Sequence, residues 1–216
     1  MNPSWAVFDF DGTLYAGNSF SKLLQVLYPR QAWRQTPKVV VALCLRKVRR
    51  ISLKSFQETG LDYFCGWEKD DLEKWGMEFF NSHLLPNIFG EAEKFVCKLK
   101  NDHWNLVLAT GAPDFYALAV AKHFGFQKCV CTRLEYCNNV YSGQIAGEIC
   151  LADEKAKELK LMFMQNGIEP ELVNGYSDHI SDLGFLKIIG FPHAVNPESQ
   201  LKKYARKNGW PEVYWK

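Results

Sequence analysis

The sequence lacks several features that would assign it to particular classes of protein. It has no Cys-x-x-Cys pair, so its seven cysteines do not predict a zinc knuckle, and several of them lie in apolar runs typical of buried, reduced thiols. The longest apolar run, Val39–Leu45, is too short to span a bilayer. No basic segment leads into an apolar stretch at the N-terminus, so we expect no signal peptide and a cytoplasmic location.

The chain also lacks an excess of charge of one sign. The formal net charge is +2, which is too balanced to predict nucleic-acid binding. There is no internal repeat and no low-complexity tract. What is present is a hydrophobic fraction of 47%, with seven tryptophans, which indicates a packed core. A chain of 216 residues is long enough for one large domain, or for a domain with a smaller one inserted into it.

Short apolar runs alternate with helical patterns along most of the chain. This alternation predicts an α/β fold with a doubly wound, mostly parallel sheet. Residues 17–85 contain only helical patterns, so we expect residues 1–16 and 86–216 to form the α/β core domain and residues 17–85 to form an inserted helical cap domain. The predicted strands are Trp5–Phe10, Asn105–Ala109, Lys128–Arg133, Leu172–Tyr176 and a short last strand, His193–Val195, with a hairpin turn at Asn138 and Asn139.

Polar residues follow three of these predicted strands. Asp9 and Asp11 lie at the end of the first, Thr110-Gly111 follows the second, and Ser177-Asp178 follows a later one. The carboxyl ends of parallel strands meet at one edge of a sheet, so these residues should converge there. Lys155 adds an ammonium group at the start of a predicted helix, which lies between Thr110-Gly111 and Ser177-Asp178 in the chain. Such a set suits a bound phosphoryl group, with Mg²⁺ offsetting the negative charge.

The order of these motifs resembles that of a haloacid dehalogenase superfamily phosphatase, in the phosphoserine-phosphatase-like subfamily IB. The resemblance covers nearly the whole chain and implies a Rossmann-like core with a C1-type helical cap. The motifs that carry it are Asp9-Phe10-Asp11-Gly12-Thr13, Ala109-Thr110-Gly111, Lys155, and the stretch from Tyr176 through Asp178 to Asp182.

The resemblance also implies roles for individual residues. Asp9 would attack phosphorus and form an aspartyl phosphate. Asp11 would protonate the leaving alkoxide and then activate water. Thr110 and the Gly111 N–H would bind the phosphoryl oxygens, and Lys155 would neutralise them and orient Asp9.

A magnesium ion is the cofactor that the resemblance implies. Its ligands would be the Asp9 carboxylate, the main-chain carbonyl of Asp11 and the Asp178 carboxylate, with water completing the octahedron. Asp182 would reach the ion through a water molecule or hold the groups that bind it.

Two positions depart from the family pattern. Ala152 stands where a glycine usually follows the cysteine before the motif lysine, so Lys157 remains an alternative to Lys155. His179 stands where serine is frequent, and its role is left open. Arg133 either reaches the substrate or makes a structural ion pair.

The function predicted on these grounds is Mg²⁺-dependent hydrolysis of a small phosphomonoester. One alternative is a phospholipid head-group phosphatase, similar to phosphatidylglycerophosphatases, acting at the membrane surface. It is motivated by the apolar and then basic segment Val39–Arg50, although a soluble cap helix explains that segment better. Another is a phosphotransferase that uses the same intermediate. Asn18, Ser19, Lys22 and Arg30 lie near the entry of the cap, where they would meet a leaving group.

Overall fold

A six-stranded parallel sheet forms the centre of the molecule. The computed structural model describes residues 4–28, 41–42, 45 and 52–216. The strand order is β3-β2-β1-β6-β7-β8, and every neighbouring pair in it is parallel. These strands are β1 (Trp5–Phe8), β2 (Asn105–Pro113), β3 (Lys128–Thr132), β6 (Val173–Ser177), β7 (Phe191–Val195) and β8 (Glu212–Val213), while β4 (Leu134–Cys137) and β5 (Val140–Ile145) form a separate antiparallel hairpin.

Both faces of the sheet are buried, which explains the continuous apolar runs in its central strands. On β1, Ala6 and Phe8 belong to one hydrophobic cluster, whereas Val7 between them belongs to the other. On β2, Leu108 and Val107 divide in the same way. Strands of a parallel sheet covered by helices on both sides read as continuous hydrophobic sequence for this reason. The predicted fold class, a doubly wound and mostly parallel α/β sheet, is confirmed.

Helices cover the sheet and make up much of the described part of the segment after β1. The α-helices are α1 (Ser19–Leu27), α2 (Leu53–Leu61), α3 (Lys69–Phe79), α4 (Gly90–Asn101), α5 (Asp114–Phe124), α6 (Ala152–Gln165), α7 (Leu183–Leu186) and α8 (Ser199–Asn208). The side chains of Asn18 and Ser52 accept hydrogen bonds from main-chain N–H groups in the first turns of α1 and α2, which fixes where these helices begin. None of the helices within the described residues is long and apolar enough to cross a membrane.

The helices α1 to α3 pack against the core through aromatic side chains. Phe64 contacts Phe115, at the start of α5, with ring centroids 5.4 Å apart. Gly76 of α3 lies so close to the Phe115 carbonyl that a side chain there would collide with it. The β4–β5 hairpin touches α2, where the Ile145 N–H donates to the Glu58 carboxylate (3.2 Å). The segment after β1 is therefore attached both to the sheet domain and to the hairpin.

The structure differs from the sequence predictions in several places. Strand β2 continues through Thr110 and Gly111 to Pro113, with an irregular register between Ala109 and Pro113. His193–Val195 is not in the last strand, because α8 and β8 follow it and β8 closes the sheet edge beside β7. The segment Val39–Arg50, apart from residues 41, 42 and 45, lies outside the described residues.

The cysteines, several of which were expected to be buried, differ in exposure. Of the six cysteines in the described residues, all free thiols, Cys150 is buried and Cys129 and Cys131 are half-buried. The others, Cys65, Cys97 and Cys137, are exposed. These three lie in turns, at a strand end and on the outer face of α4, where an apolar sequence neighbourhood does not ensure burial.

Candidate active site

The predicted motif residues line one cavity at the carboxyl edge of the sheet. Its volume is about 470 Å³. Strands β1 and β6 are neighbours here, although one comes first in the chain and the other much later, so this is the point at which the winding of the sheet reverses. Ligands bind at such switch points in open α/β sheets. The residues brought together are Asp9, Asp11, Gly12, Thr110, Gly111, Lys155, Asp178 and Asp182.

A buried ion-pair network forms the floor of the cavity. The Lys155 ammonium group, in the first turn of α6, donates to Asp9 Oδ1 (2.8 Å) and to Asp182 Oδ2 (2.8 Å). The Ser177 hydroxyl donates to the same Asp182 oxygen (2.7 Å). Lys155 is only 1% exposed. Charges removed from water to this extent require close, hydrogen-bonded partners, and Lys155 has two.

The neighbouring lysine on α6 points away from this network. Lys157 is exposed and pairs with Glu154 (3.0 Å) on the helix surface. It is absent from the cavity, whereas Lys155 lies inside it. The structure therefore places Lys155, and not Lys157, beside Asp9.

Opposing effects act on the ionisation of the paired groups. Burial raises the pKa of Asp9, the Lys155 charge lowers it and the Asp182 charge raises it again, and the result is about 6. For Lys155, burial lowers the pKa, but the two carboxylates outweigh it, so the pKa lies above its usual range. The two carboxylates thus favour the charged form of Lys155.

Asp11 is held by the start of α1. Its Oδ1 accepts a hydrogen bond from the Ser19 main-chain N–H (2.9 Å), at a helix end that favours negative charge. The buried Ser19 hydroxyl lies 3.2 Å from the Tyr116 hydroxyl of α5. Burial and the nearby Asp9 charge raise the pKa of Asp11 to about 7, although the Ser19 N–H lowers it. The start of α1 thus holds this carboxyl group, and α5 contacts the same serine through Tyr116.

Asp9 and Asp178 approach each other around Thr13. The buried Thr13 hydroxyl lies 3.3 Å from Asp9 Oδ2 and 3.3 Å from Asp178 Oδ1, and one hydroxyl hydrogen cannot satisfy both. Gly12, with a φ of 75°, makes the approach sterically feasible, because a Cβ there would collide with the Asp178 carboxylate. Burial, followed by repulsion from Asp9, raises the pKa of Asp178 to about 8.

These observations fit a divalent cation between the carboxylates. The Asp9 and Asp178 carboxylates approach the same hydroxyl group, that of Thr13, which has one hydrogen to donate. The buried Asp182 Oδ1 has no hydrogen-bond partner among the described residues. Hard cations take oxygen ligands of this kind, directly or through water. No group of three or more His, Cys, Asp or Glu side chains among the described residues is arranged to hold a metal ion. A cation here would therefore also need main-chain oxygen, as the sequence motif implies for Asp11.

Thr110 and Gly111 form the opposite wall. The Thr110 hydroxyl oxygen accepts from the Ala112 N–H (3.1 Å), which leaves its hydrogen available to a ligand. Thr132 supports this turn from β3, since its hydroxyl donates to the Gly111 carbonyl (2.8 Å). A side chain at Gly111 would collide with Leu151, so only glycine lets these two segments pack together.

Two further residues from the sequence analysis lie at or beyond the rim. His179 is exposed, accepts from the Ser181 N–H (3.1 Å) through Nδ1, and lies 3.4 Å from the Glu198 carboxylate through Nε2. It lines the cavity mouth but has its own local partners. Arg133 belongs to a different surface depression on the β3 side and does not line the cavity.

The residues predicted to lie near the entry of the cap occupy different places in the structure. Asn18 lines the cavity, and Ser19 is buried where it positions Asp11, as described above. Lys22 is not among the lining residues, and Arg30 lies outside the described residues. Thr13, Tyr116 and Gln57 were given no role from the sequence. Thr13 lies inside the first motif and was therefore recognisable, whereas Tyr116 and Gln57 lie within helices whose patterns predict only packing.

Comparisons with known proteins agree with this geometry. A sequence model of the family described as haloacid dehalogenase-like hydrolase matches residues 6–187. A probable phosphatase of Mycobacterium tuberculosis is 25% identical over 211 residues, which cover 95% of this chain and 73% of that protein.

Two solved structures have the same fold. One is a protein of unknown function from Bordetella pertussis Tohama I, with a TM-score of 0.86, 21% identity and coverage of 98% of this chain and 99% of that one. The other is a phosphoserine phosphatase in its apo form, with a TM-score of 0.67, 16% identity and coverage of 98% and 94%. The chain belongs to the haloacid dehalogenase-like hydrolase family, whose phosphatases the sequence motifs resemble.

Proposed function

We propose that the chain is a Mg²⁺-dependent phosphomonoesterase that acts on a small phosphorylated metabolite through an aspartyl-phosphate intermediate. The observation that carries this proposal is the convergence of four separated sequence motifs on one cavity of about 470 Å³. A cavity of this size accommodates a phosphoryl group and a small leaving group, as is usual for small-molecule sites.

In the first half-reaction Asp9 attacks phosphorus. A bond forms between a carboxylate oxygen of Asp9 and phosphorus, and the bond from phosphorus to the ester oxygen breaks. Asp11, held by the Ser19 N–H, gives its proton to the leaving alkoxide. Lys155 keeps Asp9 oriented throughout, because its ammonium group is fixed between Asp9 and Asp182.

In the second half-reaction water replaces Asp9 on phosphorus. Asp11 removes a proton from the attacking water, the bond between Asp9 and phosphorus breaks, and inorganic phosphate leaves. The Thr110 hydroxyl and the Gly111 N–H bind phosphoryl oxygens in both steps, as donors already in place before charge develops. Asp9, the Asp11 carbonyl and Asp178 would hold Mg²⁺, which supplies positive charge that offsets the repulsion between the phosphate and the carboxylates.

We also propose that residues 17–85 form a cap domain over this site. Helices α1 and α2 contribute Phe20, Ser21, Leu53, Phe56 and Gln57 to the cavity. The chemical groups come from the sheet domain, so the cap would mainly contact the leaving group and exclude water.

The test is phosphate release from a panel of phosphomonoesters, with Mg²⁺ and with chelator. The panel holds phosphoserine, sugar phosphates, nucleotides, histidinol phosphate and phospholipid head-group phosphates. Mg²⁺-dependent release that is abolished in Asp9→Asn supports the proposal. Turnover by a folded Asp9→Asn variant would contradict the assignment of the nucleophile, and phosphate transfer to an alcohol instead of water would favour a phosphotransferase.

A further inference from the structure

Helix α2 carries a polar side chain on its buried face. The buried residues of this helix are Phe56, Gln57, Gly60 and Leu61, spaced so that they share one side of the helix. The face packs against α1, where the Phe56 and Phe20 rings contact each other with centroids 5.9 Å apart. An apolar residue at position 57 would complete this face, and glutamine stands there instead.

The Gln57 amide has an unmet hydrogen-bonding need. Gln57 is 4% exposed, and its Oε1 is buried without a hydrogen-bond partner in the part of the chain that the structure describes. Burying an amide oxygen without a partner is unfavourable, so native proteins nearly always satisfy such atoms. Gln57 also lines the cavity that contains Asp9 and Asp11. A ligand bound in that cavity therefore lies beside this side chain.

The surroundings of Gln57 define the kind of group it meets. Leu53 and Phe56 lie beside it on the buried side of α2, and Phe20, Ser21 and Leu151 also line the cavity. A neutral amide among apolar side chains cannot offset the cost of removing a full charge from water. It can satisfy a hydroxyl or an amide, because it offers one acceptor oxygen and two donor hydrogens.

We infer that Gln57 is a specificity-determining residue that hydrogen-bonds an uncharged hydroxyl or amide of the leaving group. The phosphoryl group occupies the end of the cavity lined by Asp9, Thr110 and Lys155, and the alcohol part of the ester extends towards α2. The preferred substrate is then a phosphomonoester of a small hydroxylated alcohol. This inference rests on the proposed phosphatase function and names its substrate class.

The experiment compares phosphomonoesters that share a carbon skeleton and differ only in hydroxyl groups, such as glycerol 1-phosphate and propyl phosphate. Phosphate release is measured for wild type, Gln57→Leu and the control Gln165→Leu, which makes the same substitution at an exposed position on α6 outside the cavity. We expect wild type to prefer the hydroxylated ester. Gln57→Leu should lower that preference by roughly 10-fold or more and leave kcat/KM for propyl phosphate within about 3-fold, because only the hydrogen bond is lost.

Stability and binding are read from thermal denaturation of the same proteins. Without ligand, Tm should rise by several degrees in Gln57→Leu, because an unpaired buried amide is removed, and should stay unchanged in Gln165→Leu. The hydroxylated ester should raise the Tm of wild type more than that of Gln57→Leu.

Four results would overturn the inference. In the kinetics, Gln57→Leu would keep the wild-type preference for the hydroxylated ester, or would lose kcat/KM equally for both esters. In thermal denaturation, the Tm of Gln57→Leu without ligand would fall, or the Tm of wild type would respond equally, or not at all, to the hydroxylated ester and its counterpart without the hydroxyl groups. Since Tm shifts report binding without turnover, absence of phosphate release refutes only the proposed function.

Discussion

Replacing Lys155 with methionine tests the buried network most directly. The substitution keeps an unbranched side chain, shorter by one atom, and removes the ammonium group that contacts Asp9 and Asp182 at 2.8 Å each. Removing one partner of a buried ion pair costs about 3–5 kcal/mol, since the remaining charge stays buried and unpaired. For a chain of this length, that corresponds to a fall in Tm of roughly 6–20 °C.

The loss should depend on pH in a defined direction. With Lys155 in place, burial and Asp182 already raise the pKa of Asp9 to about 6, and removing the ammonium group raises it further. A carboxyl group whose pKa is higher in the folded than in the unfolded state destabilises the fold when it is ionised, above the folded pKa. It does so less as the pH falls towards the unfolded value of 3.8. The deficit of Lys155→Met should therefore be larger at pH 8 than at pH 5.

The matched control is Lys157→Met, two residues along the same helix. Lys157 pairs with Glu154 on the surface, so its removal should change stability far less than removal of Lys155 does, at either pH. Denaturant unfolding without divalent cations measures both variants, and phosphate release measures their activity. Equal effects of the two substitutions, or a deficit of Lys155→Met that grows as the pH falls, would refute the reasoning.

Three further substitutions test the surroundings of the site. Gly12→Ala places a Cβ against Asp178 at a φ of 75°. The free energy of unfolding, measured with denaturant, should fall by more than about 1 kcal/mol, and phosphate release should nearly cease. A variant that kept both its stability and its activity would contradict the role of this turn. Asp114→Asn should be more stable than wild type by about 1–3 kcal/mol at pH 8, because burial raises the pKa of Asp114 to about 6. This gain in stability should vanish by pH 4 in unfolding experiments. A gain that became larger on acidification would contradict the prediction. Tyr116→Phe leaves the buried Ser19 hydroxyl without its partner, so the protein should lose about 1–3 kcal/mol of stability. Because Ser19 holds Asp11, the substitution should also lower kcat more than it raises KM. Unchanged kinetics would show that Tyr116 does not help to position Asp11.

Local sequence pattern was sufficient to predict the sheet and the family. Apolar runs ending in Asp9, Thr110 and Ser177 identified strands and the edge at which they meet, and the fold class and the phosphatase-like family are confirmed. Strand β8 was missed, since two residues carry no recognisable pattern. Helix α8 was recognisable, because its buried residues Leu201 and Ala205 are four apart.

The choice between the two lysines of α6 also lay within reach of the sequence. The buried residues of this helix include Lys155, Ala156, Leu159 and Phe163, which recur at helical spacing. Lys155 is four residues before Leu159 and therefore on its face, whereas Lys157 lies on another side. A comparison of motif letters that ignores the helical period does not distinguish Lys155 from Lys157. The assigned roles of the site residues, and the division into core and cap, remain predictions that the proposed experiments address.

The parts of the site that escaped prediction share a physical cause. Asp9, Asp11 and Asp178 stand out because ionised groups at strand ends require a ligand, whatever surrounds them. Gln57 does not, because a glutamine within a helix is ordinarily solvated and only the packing of α2 against α1 shows that its amide is buried. Residues with ionisable groups at strand ends are therefore evident from residue type and spacing, whereas a buried amide such as that of Gln57 depends on how α1 and α2 pack. The residues at the strand ends therefore indicate the type of reaction, whereas the identity of the substrate depends on residues of α1 and α2 that line the same cavity.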